Sequence, residues 1–199
     1  MLREGAVAAI VGELQRPPHP TPDNLRRYDA VMRRLAARFP SLLPARFSTS
    51  FDDTAELSFV LRSRQDSLRR ALGHARGRVQ MTVRIIEAGE AGGGVTIPDV
   101  AGRVPRNGAG FTGADYLRAR AAAAAREREV AGFEPIRSAV RRWIRDERVE
   151  RHGRIASVYH LIPRASAEPY RTAASRAAAA AGTHSVISGP WPPYAFADW

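Results

Sequence analysis

Arg78-Val79-Gln80-Met81-Thr82-Val83-Arg84-Ile85-Ile86 alternates with a period of two. Val79, Met81, Val83 and Ile85 fall on one side and Gln80, Thr82 and Arg84 on the other, so the stretch predicts a β-strand with one apolar face. Such a face needs an apolar layer against it, and the flanking sequence supplies helices. Immediately upstream, Leu57, Leu61, Leu68 and Leu72 recur at helical spacing. Asp53 and Glu56 resemble a capping box that opens this helix, and Gly73 is its expected stop. Farther upstream, Leu25, Tyr28, Met32, Leu35 and Phe39 mark an amphipathic helix with Thr21 as N-cap, Pro22 in its first turn and Pro40 beyond its end. Residues 6–14, A-V-A-A-I-V-G-E-L, read as a short buried strand. Residues 42–47, L-L-P-A-R-F, read as an edge strand or a bend, because Pro44 cannot donate to a ladder. Strand, helix, strand, helix, strand predicts an α/β sandwich spanning residues 1–87.

Downstream, residues 88–111 are rich in Gly and Pro, have no periodicity, and read as a linker or long loop. Thr112 and Asp115 then cap a helix that runs into the alanine stretch 121–125. A bend at residues 132–135 separates it from a helix over 136–149 that buries Ile136, Val140, Trp143 and Ile144. Residues 154–163 read as a strand, 167–181 as a helix and 183–188 as a strand. The expected architecture is α/β (α+β) in two small domains, residues 1–87 and a helix-rich unit of residues 112–199.

The 199 residues contain no cysteine, so neither a disulfide framework nor a thiolate metal site is available. No apolar run is long enough to span a bilayer, and residues 1–5 lack a signal-peptide pattern, which together predict a cytoplasmic protein. The net charge is +11, and every basic residue apart from histidine is arginine. That charge admits nucleic acid as a partner. However, the arginines are spread along every helix, as expected of a solvated exterior.

No chemical site assembles. Gly108-Ala109-Gly110-Phe111-Thr112-Gly113 matches G-x-G-x-x-G, but no strand precedes it, and Glu127 and Glu129, at the distance of a ribose-binding acid, fall inside a helix. His19, His74, His152, His160 and His184 show no metal spacing, although His160 and His184 lie on strands of the same half. Helix capping accounts for Asp52 and Asp53. Arginines flank Trp143 over residues 137–145, the best nucleic-acid candidate, yet Trp143 falls on the apolar face. No cofactor and no small-molecule substrate is expected.

The segment Ser188-Gly189-Pro190-Trp191-Pro192-Pro193-Tyr194-Ala195-Phe196 is stiff and aromatic. It can dock a partner module of the WW or SH3 kind. Because it follows a strand without a flexible linker, it reads better as an intramolecular clamp, with Trp191 and Tyr194 packed on the helices of the C-terminal half. The segment also resembles the closing signature of the gas vesicle GvpL/GvpF family: Gly189, Pro190, Trp191, Pro192, Pro193 and Tyr194. Two further matches precede it in the family's order: L-P-A-R-F with Leu43, Pro44, Arg46 and Phe47, and G-x-x-Y-L-x-x-R with Gly113, Tyr116, Leu117 and Arg120. The resemblance implies a non-enzymatic gas vesicle component whose first domain is a modified ferredoxin-like fold. Its implied partners are the small hydrophobic shell protein and other accessory proteins. It also implies an aromatic-rich strand ahead of residues 5–11, where this sequence has none, so either the start is truncated or the sheet is expected to be one strand short.

Overall fold

The computed structural model describes residues 1–86, 130 and 132–197. Helix and sheet are mixed, and the strands form two sheets. The smaller sheet is a hairpin of β1 (Leu2–Glu4) and β2 (Val7–Ala9). Gly5, at the first turn position, has φ +56°, which glycine adopts without the Cβ penalty. Residues 2–4 therefore pair ahead of the stretch expected to begin the sheet. The buried strand expected over 6–14 ends at Ala9, with only Val7 fully buried, and Ile10, Val11 and Leu14 are exposed.

α1 (Pro22–Arg38) begins as expected. The Thr21 side chain accepts from the Asn24 N–H, and Pro22 occupies the first turn. None of its residues is fully buried, because the helix rides on the outside of the fold. Residues 42–47 form no strand. Pro44 is buried and the segment is irregular up to a turn at Phe47–Ser48, so the α/β sandwich expected of residues 1–87 lacks its second strand. The leucine-rich helix is two helices, α2 (Thr54–Ser63) and α3 (Gln65–Ala75), broken at Arg64. The Asp53 carboxylate accepts from the Glu56 N–H, and Glu56 reaches back to the Asp52 N–H, each at 2.8 Å. The second helix stops not at Gly73 but beyond Ala75, where Gly77 turns the chain at φ +68°. Leu57, Leu61 and Leu68 join Val7 in a small core under the hairpin.

The larger sheet is antiparallel, in the order β4-β5-β3-β6. β3 (Arg78–Ile86) lies between β5 (Ile155–Pro163) and β6 (Ser185–Trp191), while β4 (Asp146–His152) forms one edge. Val83 is paired with Val158 on one side and Ile187 on the other. The strand that sequence order groups with residues 1–87 thus builds its sheet with strands from beyond residue 145. The helix expected over 136–149 ends early. α4 (Glu134–Val140) gives way to a 3-10 turn, Arg141–Trp143, and then to β4. In D-E-R-V-E-R-H, pairing with β5 overrides helical propensity. α4 and α5 (Ala167–Ala180) cover one face of this sheet, burying Val79, Met81, Val83 and Ile85 against Ile136, Val140, Tyr170 and Ala174. No helix among the described residues is long and apolar enough to cross a membrane.

Candidate functional site

The other face of the sheet carries Gln80 and Thr82 on β3 and Leu161 on β5, all buried. Their cover comes from the C-terminal segment. β6 runs through Pro190 to Trp191, which an edge strand permits, and a cis Gly189–Pro190 peptide lies within it. Pro192, Pro193 and Phe196 are buried, and Tyr194–Phe196 forms a 3-10 turn. Gln80 holds this turn: its Oε1 accepts from the Ala195 N–H at 2.7 Å, and its Nε2 donates to Thr82 Oγ1 at 3.2 Å.

The clamp closes on a helix other than the one expected. Trp191 lies under the Arg33 guanidinium of α1, 4.3 Å from the ring centroid. Tyr194 donates to Asp29 Oδ1 at 3.4 Å and lies 6.5 Å from the Tyr28 ring. The described helices of the C-terminal half, α4 and α5, cover the opposite face of the sheet, and the rings of Trp191 and Tyr194 meet α1 instead, so the tail joins the two ends of the chain. Tyr28 continues the seam, meeting Phe47 edge-on at 5.6 Å and donating its hydroxyl to the Ala45 carbonyl. Burial, and then the Asp29 carboxylate, push the Tyr194 hydroxyl well above the usual phenol range; burial alone raises Tyr28. Both therefore stay protonated hydrogen-bond donors. Of the sequence-matched residues, Phe47, Trp191 and Tyr194 thus converge on one face of α1. Leu43 packs in the hairpin core, Pro44 is buried and Arg46 is exposed. Gly113, Tyr116, Leu117 and Arg120 lie outside the described residues, as do the glycine run at 108–113, Glu127, Glu129 and the helix start at Thr112.

A second polar cluster had no sequence signal. His160 on β5 is fully buried; its Nδ1 is 2.6 Å from Tyr170 Oη, and its Nε2 is 2.8 Å from Glu147 Oε2. A carboxylate only accepts, so Nε2 carries the proton and, in the neutral ring, Nδ1 accepts from Tyr170. Arg137 completes the chain with two bonds to Glu147, at 2.9 and 3.1 Å. Burial works against ionisation of Glu147, but hydrogen bonds from His160 and Arg137, with their charges, prevail and hold its carboxyl below the usual range. Burial, with the Glu147 charge, raises the Tyr170 hydroxyl. The cluster was invisible because residues 146–149 read as the end of a helix, which hides the pairing of Glu147 with His160. With His160 sealed off, it ties α4, β4, β5 and α5 together. His184 lies opposite Ile86, at the Ile155 end of the sheet, whereas His160 pairs with Met81 in mid-strand, so the two do not meet. Among the described residues no group of three His, Asp or Glu is placed to hold a metal.

In the arginine–tryptophan run at 137–145 the cations are divided: Arg141, Arg142 and Arg145 are exposed, and Arg137 is held by carboxylates. Arg137 turns to Glu134 and Glu147, and Arg142 stacks on Trp143, which packs against the main core.

Comparison with known proteins agrees with this architecture. Two crystal structures share the fold: gas vesicle protein GvpF from Anabaena sp. PCC7120, with TM-score 0.64 at 14% identity, and GvpF from Microcystis aeruginosa, with TM-score 0.66 at 12% identity. Each alignment covers 94% of this chain, and 82% and 83% of the respective structures. No curated protein sequence matches. Residues 1–198 match the family described as gas vesicle synthesis protein GvpL/GvpF, and the chain therefore belongs to that family.

Proposed function

We propose that the protein is a non-catalytic accessory factor of gas vesicle assembly, working in the cytoplasm at the growing vesicle, which binds the small apolar shell protein and works beside other accessory proteins. The N-terminal hairpin and its supporting helices form the binding part, and the four-stranded sheet is the platform that holds them. The division into two domains with a ferredoxin-like first unit belongs to this proposal as the family's description.

The observation that carries the reading is the β1–β2 hairpin. Among the described residues neither of its outer edges has a backbone partner. In a two-residue hairpin Glu4 and Val7 close the turn, so Arg3 and Ala8 aim N–H and C=O groups outward. Unpaired edges recruit strands from partners. Exposed Ile10, Val11 and Leu14 follow directly, giving an apolar strip beside the open edge. Arg46, exposed and without an ion pair among the described residues, can meet an acidic group on the partner.

The test uses the full chain, because cutting at residue 87 would take β3 out of its sheet. Shell protein should co-purify with the wild type, and much less with Ala8→Pro or Leu14→Asp. Equal capture by both variants would move the binding surface elsewhere. No capture by the folded wild type would overturn the proposal itself.

A further inference from the structure

The two edges of the four-stranded sheet are treated differently. On β4, five of the seven residues are charged, a common protection against edge-to-edge pairing. On β6, Ser185-Val186-Ile187-Ser188 carries no charge. The Ile86 N–H donates to the His184 carbonyl, so the ladder with β3 uses His184, Val186 and Ser188. By alternation, Ser185 and Ile187 point N–H and C=O away from the sheet. Among the described residues, nothing on the backbone answers them. The next outward carbonyl, that of Gly189, is already taken by the Arg171 guanidinium, and Pro190 has no N–H, so the open edge stops there. Val186 is 63% exposed, and Ile86 and Ile155, on the same face of the neighbouring strands, are 60% and 45% exposed. Among the described residues, Ser185 Oγ is the buried side-chain oxygen left without a partner.

We propose that this edge pairs with the same edge of a second copy of the chain. A two-fold axis through Val186 sets Ser185 of one copy opposite Ile187 of the other, twice. Both residues point outward, so each pair exchanges two backbone hydrogen bonds. Val186 then faces its own counterpart in the non-hydrogen-bonded position, where side chains come closest. The register is self-complementary, as an isologous interface requires. Although the chain is highly basic, the strand brings no charged residue to the axis. The two sheets would join into one of eight strands. Four hydrogen bonds and one apolar patch fall short of a standard interface, so the dimer is weak, with a dissociation constant in the micromolar range or above.

Sedimentation equilibrium of the full chain at rising concentration should show a monomer–dimer equilibrium. Val186→Arg, which puts like charges across the axis, should raise the dissociation constant about tenfold or more with an unchanged circular dichroism spectrum. Because the chain has no cysteine, Val186→Cys gives a single thiol, which should form a disulfide-linked dimer under mild oxidation, while Arg151→Cys on the charged edge should not. A chain that stays monomeric at high concentration and cross-links no better through residue 186 than through 151 would overturn the proposal. So would a monomer whose capture of purified shell protein is lost in Val186→Arg, since that result makes the shell protein the occupant of the edge.

Discussion

Gly189 illustrates how far one position can constrain the tail. Its φ is +118°, and a Cβ there would sit 2.7 Å from the Gln80 carbonyl oxygen and 2.9 Å from Met81 Sδ. Gly189→Ala combines backbone strain with overpacking against main chain and should cost about 2–4 kcal/mol, read as a lowered urea midpoint. Gly73 is the opposite case. It lies within α3, and a Cβ there meets nothing within 4 Å, so Gly73→Ala should add about 0.5–1 kcal/mol. Glu147 sets a pH dependence. Its carboxyl is held below the unfolded value, so its contribution is complete above the usual carboxylate range and is lost as pH falls through the folded pKa. Glu147→Gln should be less stable than wild type by about 1.5–3 kcal/mol at neutral pH. That gap should narrow in acid, measured as midpoint against pH; a gap that stays constant from pH 7 to acid would refute the assignment.

At the scale of elements, α1 is attached rather than embedded. No residue of it is fully buried, and it is held by Arg33 over Trp191, by Tyr28 and Asp29 against Tyr194, and by Arg164 donating to the Ala36 carbonyl. Trp191 is half-buried, so Trp191→Ala should cost less than truncating a sealed ring, about 1–3 kcal/mol. Amide exchange should accelerate across Pro22–Arg38 while β3 stays protected; uniform acceleration would mean that the seam is part of the global core instead. Much of this level was legible in the sequence. The alternation at 78–86, the caps at Thr21 and Asp53 and the helix over 167–180 all rest on local chemistry. What was not legible depends on partners distant in sequence. Charged β4 looks helical until β5 is beside it, and Leu42–Leu43 looks like a strand although no described strand pairs with it. Of the seam, the aromatic segment could be read but not its acceptor, because no pattern within α1 distinguishes the side facing Trp191 and Tyr194.

At the scale of the molecule, the charge of the described residues is dispersed. Arg26, Arg33, Arg62, Arg137 and Arg171 each meet a carboxylate, most within their own helix. Duplex DNA should therefore bind weakly and release steeply with salt, as fluorescence anisotropy of a labelled duplex would show; a sequence-specific complex at physiological salt would contradict the proposed function. A larger consequence lies in β3. Ile85 pairs with Ser185, about a hundred positions later along the chain. A ribosome making this protein therefore releases its most strand-prone segment long before either neighbour of that segment exists. Domains that fold as they are synthesised escape this delay; here the central strand waits, apolar and uncovered, until both flanking strands have been made. Folding should be slow for the chain's size, and yield in the cell should depend on holdase chaperones more than on the final stability of the sheet.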